Sequence, residues 1–347
     1  MYYKSVSRKV IFAVVCVVIA FIALGLQLSF GYYDVGFVES YQILWDHICG
    51  NFPDTDIGLK KDHIIWDLRL PRSLAGMAVG AGLGVCGAAM QSTLKNPLAD
   101  PYTTGISAGA GLGATISIVL GVCLIPGIVG QPSIVIDAFV FALIPSLVII
   151  AFSSIRRKVT SSMMILIGIA VMYVFTAMTT FLKLTASEDS LQDVYMWSVG
   201  TLGKANWDNV WFMILATIFG MVLFIMLARR INVMITSDTS AVSLGVDPKR
   251  CRLLVLVIVS IVTAFLVSFT GTIGFVGLVA PHMVRIIIGS DNRYLIPASA
   301  AFGAMMLICS DVIARNIGTG LPVGVITACI GGPVFLYLLV RQRKSVW

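Results

Sequence analysis

The sequence predicts an all-α fold of about ten membrane-crossing helices, and three observations carry that prediction. First, 58% of the 347 residues are hydrophobic and 12% charged, where an average soluble domain has about 45–50% and about 25%. Second, apolar runs of roughly 18 residues or more recur from one end of the chain to the other. Each is long enough to cross a ~30 Å hydrocarbon layer at about 1.5 Å per helical residue. Third, the runs are continuous, whereas the strands of a membrane barrel would show ~10-residue alternating segments.

In chain order the expected spans are 10–30, 70–92, 103–125, 131–152, 161–184, 208–228, 253–273, 275–289, 294–313 and 322–340. The first follows Lys4, Arg8 and Lys9 and so has the charged start of a signal peptide. Its apolar stretch from Val10 to Phe30 is longer than a signal core and no A-x-A site follows, so it is expected to be a permanent helix. The stretch Leu253–Gly289 is too long for one crossing, and Gly271, Gly274 and Gly277 offer a turn between two. Within 70–92, Gly76, Gly80, Gly84 and Ala88 recur every fourth position, and Gly105, Gly109 and Gly113 do the same in the next span. Such small-residue stripes let helices approach closely in lipid. The chain is expected to be a single transmembrane domain, 1–347, with long polar segments at 31–69, 185–207 and 229–252. The last should hold a short helix, with Ser237 and Asp238 as cap candidates and Gly245 and Pro248 ending it.

The charges give an independent check. With the N-terminus inside and the spans alternating, 17 of the 24 Lys and Arg residues fall on the inner side, and most acidic residues fall in 31–69 and 185–207. That is the positive-inside asymmetry, and it requires Leu253–Gly289 to cross twice. Both termini are then cytoplasmic, and the net charge of +7 follows from topology, with lipid as the partner and no nucleic acid. Seven scattered cysteines without a C-x-x-C pair, and only three histidines, form neither a disulfide nor a metal framework, and no cofactor is expected. There is no phosphate-binding G-x-x-x-x-G-K-[ST] loop; Gly200–Lys204 has the wrong spacing. Energy for any transport must come from a partner or an ion gradient.

Several polar clusters sit where apolar runs end. Arg69-Leu70-Pro71-Arg72 puts two guanidinium groups on one helix face at the outer side, where they either snorkel to the interface or dock carboxylates. Lys95–Pro101 is a two-proline inner turn, either a plain turn or part of a gate. Thr160 and Ser161 follow Arg156-Arg157-Lys158, either as a helix cap or as a second gate element. His282, after Pro281 in a span, is either a kink residue or a proton relay. Asp311 and Arg315, four apart, either pair with each other or leave Arg315 free to join Arg69 and Arg72.

Taken together these residues resemble one family. R-L-P-R (Arg69–Arg72), N-P-L-A-D-P (Asn96–Pro101), G-x-S-x-G-A-G-L-G (Gly105–Gly113), G-F-V-G-L-V-A-P-H-x-x-R (Gly274–Arg285) and L-P-V-G-V-I-T-A-x-x-G-x-P-x-F (Leu321–Phe335) look like the FecCD family. These are permease subunits of type II ATP-binding-cassette importers for ferric siderophores, haem and cobalamin. The resemblance runs from about Arg69 to Arg343. It implies a ten-helix plasma-membrane subunit, not itself an enzyme, paired with a second permease subunit as a homodimer or a related heterodimer, the homodimer being expected here. It also implies two cytoplasmic ATPase subunits and an extracytoplasmic substrate-binding protein. By position it assigns Arg69, Arg72 and Arg315 to docking of that protein. Asn96, Leu98, Thr160 and Ser161 become the inner gate, and Asp238, Ser240, Ala241, Leu244 and Gly245 the coupling loop 229–252. The acidic segment 31–69 has no family counterpart. The competing reading is an ion-coupled secondary transporter, which should carry intramembrane carboxylates; Asp137 and Asp311, near span ends, are the candidates.

Overall fold

A computed structural model describes residues 2–31, 33–155, 160–317 and 320–341. The basic cluster 156–158 and the basic tail after 341, both used in the charge count, lie outside the described residues. The described chain is helical, with no strand. In order it forms α1 (Tyr2–Ser29), α2 (Phe37–Cys49), α3 (Asp56–His63), α4 (Leu70–Leu94), α5 (Ile106–Leu120), α6 (Gln131–Ile155) and α7 (Ser161–Leu184). Then come α8 (Glu188–Val199), α9 (Trp207–Ile235), α10 (Asp238–Ser243), α11 (Pro248–Thr270), α12 (Val276–Ile288), α13 (Asn292–Asn316) and α14 (Val323–Arg341). Among the described residues seven helices are long and apolar enough to cross a membrane, and α5, α12 and α14 are shorter apolar helices. The break between α11 and α12 falls in the predicted glycine turn: Gly271 has φ +70° and Phe275, just before α12, has φ +68°.

Three differences from the sequence reading share one cause. The segment 31–69 is largely helical: α2 and α3 lie in it, and wide π-type turns over Ile64–Arg69 run into α4. The segment 185–207 holds α8, and α9 continues to Ile235, well into the expected inner loop. Helices α2, α3 and α8 are short and amphipathic or charged, and the last turns of the long apolar α9 carry Arg229, Arg230 and Asn232, so hydropathy registers none of these stretches. Local caps do form them: Thr55, Ser187 and Asn206 each accept a hydrogen bond from the backbone N–H three residues on.

Helix α4 is the centre of the bundle. It packs against α13, α9, α12 and α11, and nearly all its side chains are buried. The glycine stripe explains the closeness. A Cβ on Gly80 would strike the carbonyl of Gly303 in α13, and one on Gly87 the carbonyl of Gly277 in α12. With no hydrophobic drive between helices in lipid, such backbone approach supplies the packing. Gly109 and Gly113 of α5 meet α6 in the same way.

Helix α2 packs on α1, and α2 and α3 meet each other and the π-type turns over Ile64–Arg69, which reach the start of α9. His47 stacks on Trp66 with ring centroids 4.0 Å apart, and Trp66 lies 5.2 Å from Trp207. The Trp207 indole N–H donates to the Trp66 carbonyl at 3.0 Å. The Asp62 carboxylate meets His47 Nδ1 at 2.8 Å, and Lys61 pairs with Glu39 at 2.5 Å.

Candidate functional site

The two ends of α4 each carry a polar assembly. At its start, Arg69 and Arg72 are one helical turn apart but do different things. Arg69 is 3% exposed, and its guanidinium donates to the carbonyls of Leu28 (2.5 Å), Ser29 (3.0 Å) and Tyr33 (2.6 Å). It neutralises the carbonyl end of α1, where a cation suits the helix dipole. Arg72 reaches across to α13, where Nε and Nη2 hold the Asp311 carboxylate at 2.8 and 2.7 Å. Asp311 is fully buried and also accepts from the Gln27 side-chain amide. The hydrogen-bond partners of Asp311 therefore come from α4 and α1, and not from Arg315 four residues along its own helix. Arg315 instead donates to the Gln27 carbonyl at 3.3 Å.

These groups border a cavity of about 600 Å³ lined by Tyr33, Asp67, Arg69, Arg72, Lys204 and Arg315, among others. The structure thus brings together the three arginines singled out from sequence. It adds Lys204, which sequence reasoning passed over because it lies in the turn before α9. The cavity is rimmed by more cations than anions and suits carboxylate groups. Arg72 and Arg315 are part-exposed, whereas Arg69 is sealed in.

At the other end of α4 the chain turns at Lys95, whose φ of +53° is left-handed. The Asn96 side chain accepts from Leu98 N–H at 2.9 Å, and Ala99 N–H donates to the Asn96 carbonyl at 3.1 Å. Leu98 is exposed on the tip of this turn. Thr160 caps α7 by accepting from Met163 N–H at 3.3 Å. Among the described residues no hydrogen bond joins Thr160 or Ser161 to the Asn96 turn. The last turn of α4 is tied sideways to α12: Gln91 Nε2 donates to the Leu278 carbonyl at 3.0 Å, and Arg285 Nη1 donates to Gln91 Oε1 at 3.0 Å. His282, one turn from Arg285, is buried.

Near this end lies α10, capped by Ser237, which accepts from Ser240 N–H at 3.0 Å. Of the five residues expected to couple, Ala241 is fully buried and seats the helix against Met234 and Cys251. Ser240, Leu244 and Gly245 are exposed, and so is Val242, which sequence reasoning left out. Gly245, with φ +78°, ends the helix in the left-handed conformation. Asp238 is held below the usual carboxylate range, chiefly by the hydrogen bond from Arg252.

Comparison with known proteins is consistent along nearly the whole chain. The model of the FecCD transport family matches residues 15–341. A cobalamin import system permease protein of Halobacterium salinarum is 39% identical, covering 81% of this chain and 74% of its own length. An Fe(3+)-citrate import system permease protein of Bacillus subtilis is 35% identical over 98% of this chain and 97% of its own. A solved structure described as an inward-facing metal-chelate type ABC transporter superposes with a TM-score of 0.82 at 25% identity, over 95% of this chain and 99% of that one.

Proposed function

The chain belongs to the FecCD transport family, and from that premise we propose that it is the membrane subunit through which a ferric siderophore enters the cytosol. The chain is a multi-pass plasma-membrane permease of an ATP-binding-cassette importer, of the class that handles metal chelates, vitamin B12 or haem. In the finer reading the chain crosses ten times with both termini in the cytosol. The end of α4 at Arg72 faces outward to a substrate-binding protein, and the end at Lys95 faces two cytoplasmic ATPase subunits that hydrolyse the ATP.

The observation that carries this reading is the pairing of two unlike assemblies at opposite ends of one buried helix. A cavity of about 600 Å³ with cationic rims suits acidic side chains of an arriving protein. The exposed faces of Ser240, Val242 and Leu244 suit a cleft on a partner. Docking falls to Arg72, Arg315 and Lys204, with Arg69 holding the rim in shape. Asn96, Leu98, Thr160 and Ser161 sit on the two turns that close the inner gate. A second copy of the chain completes the passage. Helix α7 exposes Leu166, Tyr173, Val174 and Phe181, and α14 exposes Leu336 and Tyr337, so both have apolar faces for a partner subunit or lipid to cover. Asp311 is engaged by Arg72 and Gln27, so this carboxylate is not set up to carry an ion.

The test is uptake into vesicles holding the purified chain, its cognate ATPase and its binding protein. A ferric hydroxamate, ferric catecholate, ferric citrate, haem and cobalamin are offered in turn. ATP-dependent uptake of one ferric siderophore is expected. Uptake driven by a proton or sodium gradient without the ATPase would overturn the proposal and establish the secondary-transporter reading.

A further inference from the structure

The segment that carries α10 is joined to the end of α4 by one lysine. Lys95 Nζ donates to the Thr236 carbonyl at 2.8 Å and meets Asp238 Oδ1 at 3.5 Å. The same Asp238 oxygen accepts from Arg252 Nη2 of α11 at 2.7 Å. Asp238 is the first residue of α10 and Thr236 lies just before its cap. On the other side, Lys95 is the residue at which α4 stops and the Asn96–Asp100 turn begins.

We propose that Lys95 is a positioning residue of the transport cycle: through Thr236 and Asp238 it transmits the movement of α10 to the inner turn after α4.

Three physical points support this. The first is backbone strain. Lys95 holds φ +53°, a conformation that is unfavourable for an L-residue and that glycine adopts freely. A lysine in that position is explained when its side chain is used, and here both of its contacts lie on the segment leading into α10. The second is magnitude. Lys95 and Asp238 keep 26% and 51% of their side-chain surface exposed, and an exposed ion pair is screened by water and worth little. The contact therefore adds little stability, and its value lies in where it connects. The third is continuity. Gln91, one turn before Lys95 on the same face, bonds Leu278 and Arg285 of α12. A displacement of Lys95 thus reaches both the inner turn and α12 through contacts already made. Asp238 stays ionised because Arg252, first among its neighbours, holds its carboxyl below the usual range.

This inference rests on the importer reading, and the experiment separates the two. Wild type, Lys95→Ala, Lys95→Arg, Asp238→Ala and the double variant Lys95→Ala/Asp238→Ala are assembled with the cognate ATPase in vesicles. Three quantities are read: chelate imported per ATP hydrolysed, the rate of ATP hydrolysis, and retention of the ATPase on purification. Lys95→Ala should lower import per ATP by about fivefold or more, the size of a 1 kcal/mol coupling, with hydrolysis and assembly unchanged. Lys95→Arg should retain it, and the double variant should lose less than the two single variants together, because the Lys95–Asp238 contact is counted in both single losses while the Thr236 contact goes only with Lys95. Unchanged import per ATP in Lys95→Ala overturns the inference. So does loss of the ATPase on purification, since the residue would then serve docking. Wild-type import that ignores ATP overturns the importer reading instead.

Discussion

The two ends of α4 differ in how their charges are held. At the Arg72 end the ionic groups are sunk in the protein. Asp311 is fully buried, Arg69 is 3% exposed, and their partners are main-chain carbonyls, one amide and one bidentate guanidinium. At the Lys95 end the Lys95–Asp238 pair sits at the surface, with Asp238 half exposed, although the Arg252 that also holds Asp238 is buried. Buried pairs are expensive to break because the surviving charge is left without water. Surface pairs exchange with water at little cost. The first end is therefore fixed in shape, as a docking platform requires, and the second can be rearranged in each cycle.

The largest test of this contrast is Asp311→Ala. Removing one partner of a buried pair should destabilise the chain by about 3–5 kcal/mol, read as a lower melting temperature in detergent. A change below about 1 kcal/mol would mean the Arg72 end is wet, and the contrast would disappear. Arg69→Ala should follow at about 2–3 kcal/mol, since it frees charge-assisted contacts to three carbonyls. Arg315→Ala sharpens the same point. It has one long contact, so it should alter melting by less than about 1 kcal/mol while weakening binding-protein docking measured by surface plasmon resonance. Equal docking by wild type and this variant would remove Arg315 from the platform. The smallest effect is that of pH at the Lys95 end. Asp291, the cap of α13, is pushed down to about 2, first by the Arg293 hydrogen bond and then by Asn232, and Asp238 is shifted in the same direction. A carboxylate with a depressed folded pKa contributes fully above its unfolded value near 3.8 and loses that contribution as pH falls toward about 2. The difference in melting temperature between wild type and Asp291→Asn should therefore stay constant between about pH 5 and pH 8, and a difference that titrates with a midpoint inside that window would contradict the assignment.

The spans were legible because a helix facing lipid writes its environment into a continuous apolar run. The family was legible because five motifs keep their order. Helices α2, α3 and α8 were not legible, since short polar helices are set by caps such as Thr55 and Ser187 and by packing on neighbours such as Trp66 on Trp207. The partner of Asp311 was hidden for a related reason. Sequence offers Arg315 at four residues, while the fold supplies Arg72, 239 residues away. The roles of the arginines differ for the same cause: two residues spaced three apart look alike in sequence, and only the carbonyl end of α1 separates Arg69 from Arg72. Of the residues expected to couple, Ala241 proved internal because a six-residue helix needs one apolar side to sit down on.

The backbone contacts of α4 have a mechanical corollary. Over its 25 residues the helix is roughly 37 Å long, and Gly80, Gly84 and Gly87 lock it against carbonyls on two neighbours, leaving no slack for it to slip past them. Helix α4 and its two neighbours therefore shift together or not at all. On the importer reading, a load at the Lys95 tip would reach the Arg72 tip, and by thermodynamic reciprocity a protein seated on Arg72 would alter the equilibrium at Lys95 by the same free energy.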